Sequence, residues 1–398
     1  MKILGITAEY NPFHNGHLYH VTEAAREVKP DCTIAVMSGN FTQRGEAAIL
    51  DKWQRGRNAL ELSAGKINAV FELPFAFACN RAEYFAKGGV DTLVKLGAEY
   101  ISFGCETGNH DALRETAKGL VQKADQLAEL TGENMKSGIS HAKAYEKAVE
   151  VLLGAEAAEI IQSPNNILAV EYLKRIEYWK DRGRNITDVP VTRHGSGYRE
   201  TGDGYAGASE IRRLIKEGKD VSEYVPEGID FGDAFTDESR LFDFLKAAVM
   251  RSSNAELAEI YGIGEGFENK IIKELAYAKS MDDYVERLTS RRYTSAAVRR
   301  MLAYILTGVK GSDMDRMVQE GQSYARLLAA DETGRGYIRQ FESDEMAVVT
   351  NSNKYMPDGG SADEMILQLD IKAADIYNLL AGRDMYDMSD KVLRPFII

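Results

Sequence analysis

Residues 9–20 read EYNPFHNGHLYH, and the pattern His14-Asn15-Gly16-His17 within them decides the fold. A short apolar run at residues 3–6 precedes this stretch, and a helical pattern follows it as far as Val28. A strand, a polar turn and a helix in this order are typical of a phosphate-binding segment. The start of a helix offers unpaired N–H groups and a partial positive charge. The sequence therefore predicts a nucleotide site at the N-terminus.

The residue types in this motif suit phosphoryl transfer. The imidazoles of His14 and His17 can donate hydrogen bonds to phosphoryl oxygens as charge builds up, and Gly16 leaves room for a nucleotide near the backbone. Such catalysis needs positioning and electrostatic stabilisation but no covalent nucleophile. A structural helix cap is one alternative. Metal ligation is another, but His20 turns away from the other two histidines and no His-Glu-x-x-His spacing is present.

The first half of the chain alternates short apolar runs with amphipathic helical patterns, which is typical of a parallel sheet covered on both faces. The predicted strands are Ile3–Ala8, Thr33–Met37, Ala69–Leu73, Tyr100–Phe103 and Pro190–Arg193. Ligands of such sheets bind beyond the carboxyl ends of the strands, where His14, the turn at residues 38–40 and Gly104 are expected.

After residue 226 helical periodicity dominates, with weaker strand patterns at Met346–Thr350 and Met365–Leu369. We therefore predict the α/β class, with a Rossmann-like parallel sheet in an ATP-binding domain over residues 1–226. A mainly helical, RNA-binding domain is predicted over residues 227–398. The length of 398 residues agrees with two domains.

Composition narrows the class of protein. Apolar residues make up 44% and charged residues 28% of the chain, which is typical of a globular protein. No apolar run approaches the roughly 20 residues of a membrane span, and no secretory signal pattern is present. The three cysteines are too widely spaced for a disulfide framework or a zinc motif. We expect a cytoplasmic protein with no membrane contact.

The charge distribution indicates the kind of partner. A net charge of −12 disfavours indiscriminate binding to nucleic acid, so no DNA partner is expected. Residues 287–310 nevertheless contain six basic residues and no acidic one. The RNA-contacting residues predicted from this segment are Arg291, Arg292, Tyr293, Arg299 and Arg300. The alternative is an amphipathic helix with its arginines on the solvated face.

A second phosphate-binding element follows a Gly-rich stretch, Gly195–Gly207. Ser209 lies at the start of a predicted helix, and Arg212 follows one turn later, where a guanidinium can hold phosphoryl oxygens in a bidentate manner. A capped helix with a surface arginine is the alternative. Lys52 and Arg55, on an earlier helix, could reach the acceptor side of the site, but we expect them to be solvated surface charges.

These elements resemble the HIGH-type nucleotidyltransferase superfamily and, more closely, the tRNA(Met) cytidine acetate ligase family. The matching stretches are residues 9–20, 36–46, 71–74, 103–106, 164–168 and 291–294. The resemblance implies that acetate attacks the α-phosphorus of ATP to give acetyl-adenylate and pyrophosphate. The acetyl group then passes to N4 of the wobble cytidine of elongator tRNA(Met).

The resemblance also implies the residues of the site. His14, His17, Ser209 and Arg212 are the expected catalytic residues. The expected ATP-binding residues are Thr7, Ala8, Glu9, Tyr10, Asn11, Pro12, Phe13, His14, Asn15, Gly16, His17, Leu18, Tyr19, His20, Gly104, Asn166 and Arg193. No metal held by the protein is expected, and Mg²⁺ is expected only because it accompanies ATP.

Several of these residues depart from the superfamily pattern or have an alternative role. Gly207 and Ala208 stand where the superfamily often has hydroxyl residues, which leaves only backbone N–H groups there. A local structural role is equally open for Asn166 and for Arg193.

Two other functions also remain open, a small-metabolite adenylyltransferase and a non-catalytic RNA-binding protein. The helical segment disfavours the first, and the intact motifs disfavour the second.

Overall fold

The computed structural model describes residues 1–137, 139, 141–193, 204–232, 235–386 and 388–398. The elements up to residue 216 are β1 (Ile3–Ala8), α1 (Asn15–Val28), β2 (Cys32–Ser38), α2 (Lys52–Leu62), β3 (Ala69–Leu73), α3 (Phe75–Ala78), α4 (Ala82–Lys95), β4 (Tyr100–Cys105), α5 (His110–Gln122), α6 (Ala124–Met135), α7 (His141–Leu153), α8 (Ala155–Ile160), α9 (Pro164–Lys180), β5 (Thr187–Thr192) and α10 (Ala208–Lys216). Most of the predicted loop Gly195–Gly207 lies outside the described residues.

The remaining elements are α11 (Glu238–Arg251), α12 (Asn254–Glu259), α13 (Phe267–Leu275), α14 (Met281–Leu288), α15 (Ser295–Thr307), α16 (Gly311–Glu320), β6 (Tyr324–Ala330), α17 (Glu332–Gln340), β7 (Ala347–Val349), α18 (Ala362–Leu380) and β8 (Phe396–Ile397). No helix among the described residues is long and apolar enough to cross a membrane.

A single sheet organises the molecule, with strand order β5-β4-β1-β2-β3-β6-β7 and β8 paired to β6. Strands β1 to β5 are mutually parallel, so their carboxyl ends meet at one edge. Ala8 pairs with Met37 and Cys105 with Thr192 at that edge. The predicted Rossmann-like α/β fold is confirmed, and the expected site residues of α1 and β4 begin at this edge.

The two faces of the sheet bury separate apolar cores. Leu4 and Met37 pack with α1 on one face, and Val36 and Phe71 pack with α4 on the other. Successive strand residues point to opposite faces, so a strand covered on both sides is apolar at nearly every position. This burial explains why β1 to β3 could be predicted from short apolar runs.

The segment after residue 226 is mainly helical but also completes the sheet. Strand β6, which was not predicted, pairs antiparallel with β3, and β7 and β8 pair with β6. The strand predicted at Met365–Leu369 is wrong, because these residues lie inside helix α18. The division into domains at residue 226 stays a prediction, and the sheet extends across it.

Buried ion pairs connect the C-terminal residues to the sheet and correct the interpretation of α2. Lys52 Nζ lies 2.6 Å from Glu72 Oε1 and 2.5 Å from Asp390 Oδ2. Arg326 Nη1 of β6 lies 2.6 Å from the same Asp390 oxygen. Lys52 and Arg55 are at most 1% exposed, so the prediction that they are solvated is wrong. A helical wheel cannot show that the carbonyls of Glu9, Ser38 and Leu50 surround the guanidinium of Arg55, or that Glu72 and Asp390 pair with Lys52.

Candidate active site

The motif histidines form the N-terminal cap of helix α1. His14 is the N-cap residue, and its Nδ1 accepts a hydrogen bond from the Gly16 N–H at 3.0 Å. His17 Nδ1 accepts a hydrogen bond from the His14 N–H at 3.3 Å. A neutral imidazole that accepts at Nδ1 carries its proton on Nε2. The cap therefore leaves each ring with a single N–H donor at Nε2.

Burial keeps both rings neutral. It lowers the pKa of His14 to about 3, and the nearby Arg193 and Arg212 lower it further. Burial, and then the neighbouring His14, hold the pKa of His17 well below its ordinary value. The two rings stack with centroids 3.7 Å apart. The buried His14 Nε2 has no hydrogen-bond partner among the described residues, so its N–H is available to a ligand.

The backbone N–H groups at the start of α1 are already used, which corrects the expectation that they are free. The Asn15 N–H donates to the Tyr224 carbonyl at 3.0 Å. The Gly16 N–H donates to the His14 ring, and the His17 N–H donates to the His14 carbonyl at 2.8 Å. At this helix the available phosphate donors are imidazoles rather than peptide groups.

Gly16 makes room for a side chain of the protein itself. A Cβ at this position would lie 2.8 Å from His14 Cε1 and 3.0 Å from His14 Nδ1. Such a distance is shorter than van der Waals contact, so a larger residue would displace the His14 ring. A close nucleotide stays the predicted reason for this glycine, and the structure adds a close histidine.

The second predicted element lies against the first. Arg212 Nη1 donates to the Asn11 carbonyl at 3.0 Å, and Arg212 Nη2 lies 3.1 Å from Glu46 Oε2 and 3.3 Å from Ser209 Oγ. Helix α10 begins at Gly207 without a side-chain cap. Within the described residues, no acceptor is found for the N–H groups of its first three residues. Helix α10 therefore offers a guanidinium, a hydroxyl and free peptide donors.

The ends of β4 and β5 bring three further predicted residues together. Arg193 covers Gly104, because a Cβ at Gly104 would lie 3.5 Å from Arg193 Cγ. Arg193 Nη1 donates to Asn165 Oδ1 at 2.8 Å. The Asn166 side-chain oxygen accepts hydrogen bonds from the N–H groups of Glu106 at 2.7 Å and Thr107 at 3.3 Å. Asn166 thus has the local structural role that the sequence left open.

Residues 9–13 are fixed by the β2–α2 loop, residues 39–51. Glu9 Oε1 accepts a hydrogen bond from the Gln43 N–H at 2.6 Å, and burial raises the pKa of Glu9. Arg55 donates to the carbonyls of Glu9 at 2.6 Å, Ser38 at 3.1 Å and Leu50 at 3.0 Å. Arg55 was not predicted as a site residue, yet it holds both segments at the sheet edge.

The other predicted ATP-binding residues surround the histidines or lie on a neighbouring face of α1. Tyr10 and Phe13 contact His17 edge-on or tilted, with ring centroids 4.9 Å and 5.7 Å away. The Nε2 of His20 lies 2.9 Å from Ser102 Oγ, and burial lowers the pKa of His20 to about 4. Thr7 and Ala8 end β1. Pro12 follows Asn11 in a cis peptide. A cavity of about 270 Å³ is lined by Asn15, Leu18 and Tyr19.

Comparison with known proteins decides the family of this site. The family model described as HIGH Nucleotidyl Transferase matches residues 1–391. The chain belongs to the HIGH nucleotidyl transferase family. Relatives named tRNA(Met) cytidine acetate ligase include one from Anoxybacillus flavithermus, 34% identical over 95% of this chain and 94% of its own length. Another, from Thermoanaerobacter sp. strain X514, is 36% identical over 95% of each.

Solved structures of this family agree with the fold. Thermotoga maritima TmcAL without ligand matches with a TM-score of 0.88 and 29% identity over 100% of both chains. The same protein bound with alpha-thio ATP matches with a TM-score of 0.87. The resemblance to tRNA(Met) cytidine acetate ligases is therefore confirmed, while the site residues assigned from it stay predictions. Among the described residues, no group of three or more His, Cys, Asp or Glu side chains is arranged to hold a metal.

The predicted RNA-contacting residues of this family member fall into two groups. Arg292 pairs with Glu265, and Tyr293 stacks on Phe267 with ring centroids 4.2 Å apart. Both lie with the exposed Arg291 on the surface before α15. The other two residues lie in α15 beside the β2–α2 loop, where Arg299 Nη2 is 2.5 Å from Asp282 Oδ1 and Arg300 Nη1 donates to the Gln43 carbonyl at 3.1 Å.

Proposed function

We propose that this protein is an ATP-dependent tRNA(Met) cytidine acetate ligase. It activates acetate as acetyl-adenylate and transfers the acetyl group to N4 of the wobble cytidine of elongator tRNA(Met). The observation that carries the proposal is the pair of neutral imidazoles at the N-terminal cap of α1: the buried His14 Nε2–H has no partner among the described residues, and Arg212 is near enough to lower the pKa of His14. The names of the relatives and the ATP analogue bound to a solved relative support the same reaction.

In the first step an acetate oxygen attacks the α-phosphorus. A new P–O bond forms, the bond to the bridging oxygen breaks, and pyrophosphate leaves with the electron pair. The Nε2–H groups of His14 and His17 donate hydrogen bonds to the phosphoryl oxygens as their charge increases. Arg212, Ser209 and the first N–H groups of α10 hold the departing pyrophosphate. A neutral imidazole can fill this role because its Nε2 carries the proton while its Nδ1 accepts the hydrogen bond of the cap.

In the second step the N4 amine of the cytidine attacks the acetyl carbon. AMP leaves, and the amine loses a proton. We assign ATP to residues 7–20 with Gly104 and Arg193, and RNA contacts to the surface of residues 291–293 and to α15. Asn166 would shape this site through the backbone of residues 106 and 107 rather than contact the base. Mg²⁺ would arrive with the triphosphate, and the reaction would take place in the cytoplasm.

The test is acetate-dependent exchange of labelled pyrophosphate into ATP, with His14→Asn as the matched inactive variant. We expect exchange that requires acetate and is nearly abolished in the variant. Incorporation of labelled acetate into tRNA(Met), followed by nucleoside analysis, then identifies the acceptor.

The two alternative functions give different results in the same assay. Exchange supported by a small phosphorylated metabolite but not by acetate would identify a metabolite adenylyltransferase. Folded protein that binds tRNA(Met) and shows no exchange with any acid would be a binding protein without catalysis.

A further inference from the structure

Glu46 occupies an unusual position between two arginines. Its Oε2 lies 3.1 Å from Arg212 Nη2, and its Oε1 lies 4.0 Å from Arg299 Nε. Arg212 belongs to the proposed phosphate element, and Arg299 belongs to the proposed RNA-contacting helix α15. A single carboxylate at the end of the β2–α2 loop thus faces both proposed sites.

The contact between Glu46 and Arg212 has the chemistry of a phosphate contact. A guanidinium binds carboxylate and phosphate oxygens through the same N–H donors. Arg212 also donates to the Asn11 carbonyl and to Ser209 Oγ, so its head group is already oriented towards residues 11–14. The carboxylate of Glu46 therefore takes a position at this guanidinium that a phosphoryl oxygen of ATP would need.

The loop holds the backbone of Glu46 in place but not its side chain. The carbonyl of Glu46 accepts a hydrogen bond from the Thr42 N–H at 2.9 Å. Gly45 has a φ of 81°, and a Cβ there would overlap the backbone of Arg300. The loop is thus packed against α15, while the side chain of Glu46 stays partly exposed at 32%. The side chain can turn from Arg212 towards Arg299 without unfolding the loop.

We propose that Glu46 is an internal competitor for the phosphate-binding arginine. In the nucleotide-free protein it neutralises Arg212. When the phosphates of ATP bind Arg212, the carboxylate moves to Arg299. Binding of ATP therefore changes the charge at α15. This inference rests on the proposed function, because it takes Arg212 to be a phosphate ligand.

The test is a double-mutant cycle on ATP affinity, measured by calorimetry with the full chain. Glu46→Gln keeps the backbone contacts and the shape of the side chain but removes the competing charge. We expect it to bind ATP about two- to fivefold more tightly than wild type, because a partly exposed ion pair contributes only a small free energy. In an Arg212→Gln background the same substitution is expected to have no effect, because the guanidinium for which Glu46 competes is gone.

Two controls separate this inference from general electrostatics. Glu217→Gln removes a carboxylate at the other end of α10, where Glu217 pairs with Arg213, and should leave ATP affinity unchanged. Adenosine, which has no phosphate, should bind wild type and Glu46→Gln equally. A gain that persists in the Arg212→Gln background, or an unchanged affinity in Glu46→Gln, would overturn the inference. Wild-type protein that does not bind ATP at all would instead overturn the proposed function.

Discussion

Helices α1 and α10 both start beside the proposed ATP site, but they are prepared for it in opposite ways. At α1 the N–H groups of Asn15, Gly16 and His17 already have acceptors, and two of these acceptors are groups of His14. At α10 the cap residue is Gly207, which contributes no side chain. Within the described part of the chain, its first-turn N–H groups have no acceptor.

The difference indicates a division of labour. Helix α1 uses its peptide N–H groups in hydrogen bonds that fix two imidazoles. The groups that it presents to a ligand are therefore rigid side-chain donors. Helix α10 keeps its peptide donors free and adds Arg212, so it presents positive charge to an anion. Rigid donors suit the α-phosphorus, where bonds form and break. A helix start with free N–H groups suits pyrophosphate, which must leave the site.

The largest effect is expected from removing the donor of His14 while keeping its cap. In His14→Asn the side-chain oxygen can still cap α1, but the Nε2–H is lost. We expect acetate-dependent pyrophosphate exchange to fall by about a hundredfold to a thousandfold, with little change in melting temperature.

A matched control for this variant is His110→Asn, whose ring contacts Thr192 Oγ1 at 3.0 Å and takes no part in the cap of α1. This variant should retain exchange. If His14→Asn also retained exchange, His14 would be a cap and nothing more, and the division between the two helices would fail.

A smaller loss is expected from Gly16→Ala. The new Cβ would meet the His14 ring at 2.8 Å and push it from its stacked position. Misplacement of one donor is expected to lower exchange by about tenfold to a hundredfold, while urea denaturation shows a modest change in the free energy of unfolding. Gly132→Ala in α6, where a Cβ would have no atom of the described residues within 4 Å, is the control. Equal exchange in both variants would show that the ring position is not critical.

The histidines at the start of α1 should also make stability depend on pH. The pKa of His14 is lowered to about 3 and that of His20 to about 4. The unfolded chain binds these protons below its own histidine pKa of about 6.5, whereas the folded protein does not. The stabilisation is therefore complete above about pH 6.5 and is lost as the pH falls towards the folded pKa values.

Thermal melts across this range test the dependence. We expect the melting temperature to fall on acidification and to fall less steeply in His14→Asn, because that variant has one group fewer to protonate on unfolding. The described first turn of α10 contains no histidine and makes no such contribution. Identical slopes for wild type and His14→Asn would contradict the neutral, buried state of this ring.

The smallest effect is expected at α10. Gly207→Ser adds a hydroxyl at a position where no atom of the described residues lies within 4 Å of a Cβ. It should stabilise the protein by a few tenths of a kcal/mol, roughly the difference between Gly and Ser as N-caps. Because the hydroxyl would then accept from the N–H groups that an anion needs, ATP should bind slightly less tightly. Tighter ATP binding in this variant would show that the added hydroxyl contacts phosphate directly.

The sequence was sufficient for the elements whose pattern is local. Strands β1 to β3 are short apolar runs covered on both faces, and each was predicted to within one residue at either end. Strand β6 was missed, because its seven buried residues include three alanines, two leucines and a buried Arg326 that favour a helical interpretation. It forms a strand because it pairs with β3 and because the buried Arg326 finds an ion-pair partner in Asp390.

The candidate site divides in the same way. The residue types and the order of the two predicted phosphate elements were legible in the chain, and their roles in binding phosphate stay predictions. The roles of Gly16, Asn166 and Arg55 were not, because each depends on what lies next to it in space. Glu46 was noticed only as part of a matching stretch, since its two arginines are far away in sequence.

The sequence by itself determined the α/β class, the motif that starts α1 and the family, because these depend on residue types and on spacing along the chain. The tertiary structure alone decided which donors are free, which charges are buried and how the second phosphate element meets the first. The physical reason is that a hydrogen bond or an ion pair depends on a distance of a few ångströms in space. Residues 11 and 212 reach that distance only when the sheet and α10 are both in place.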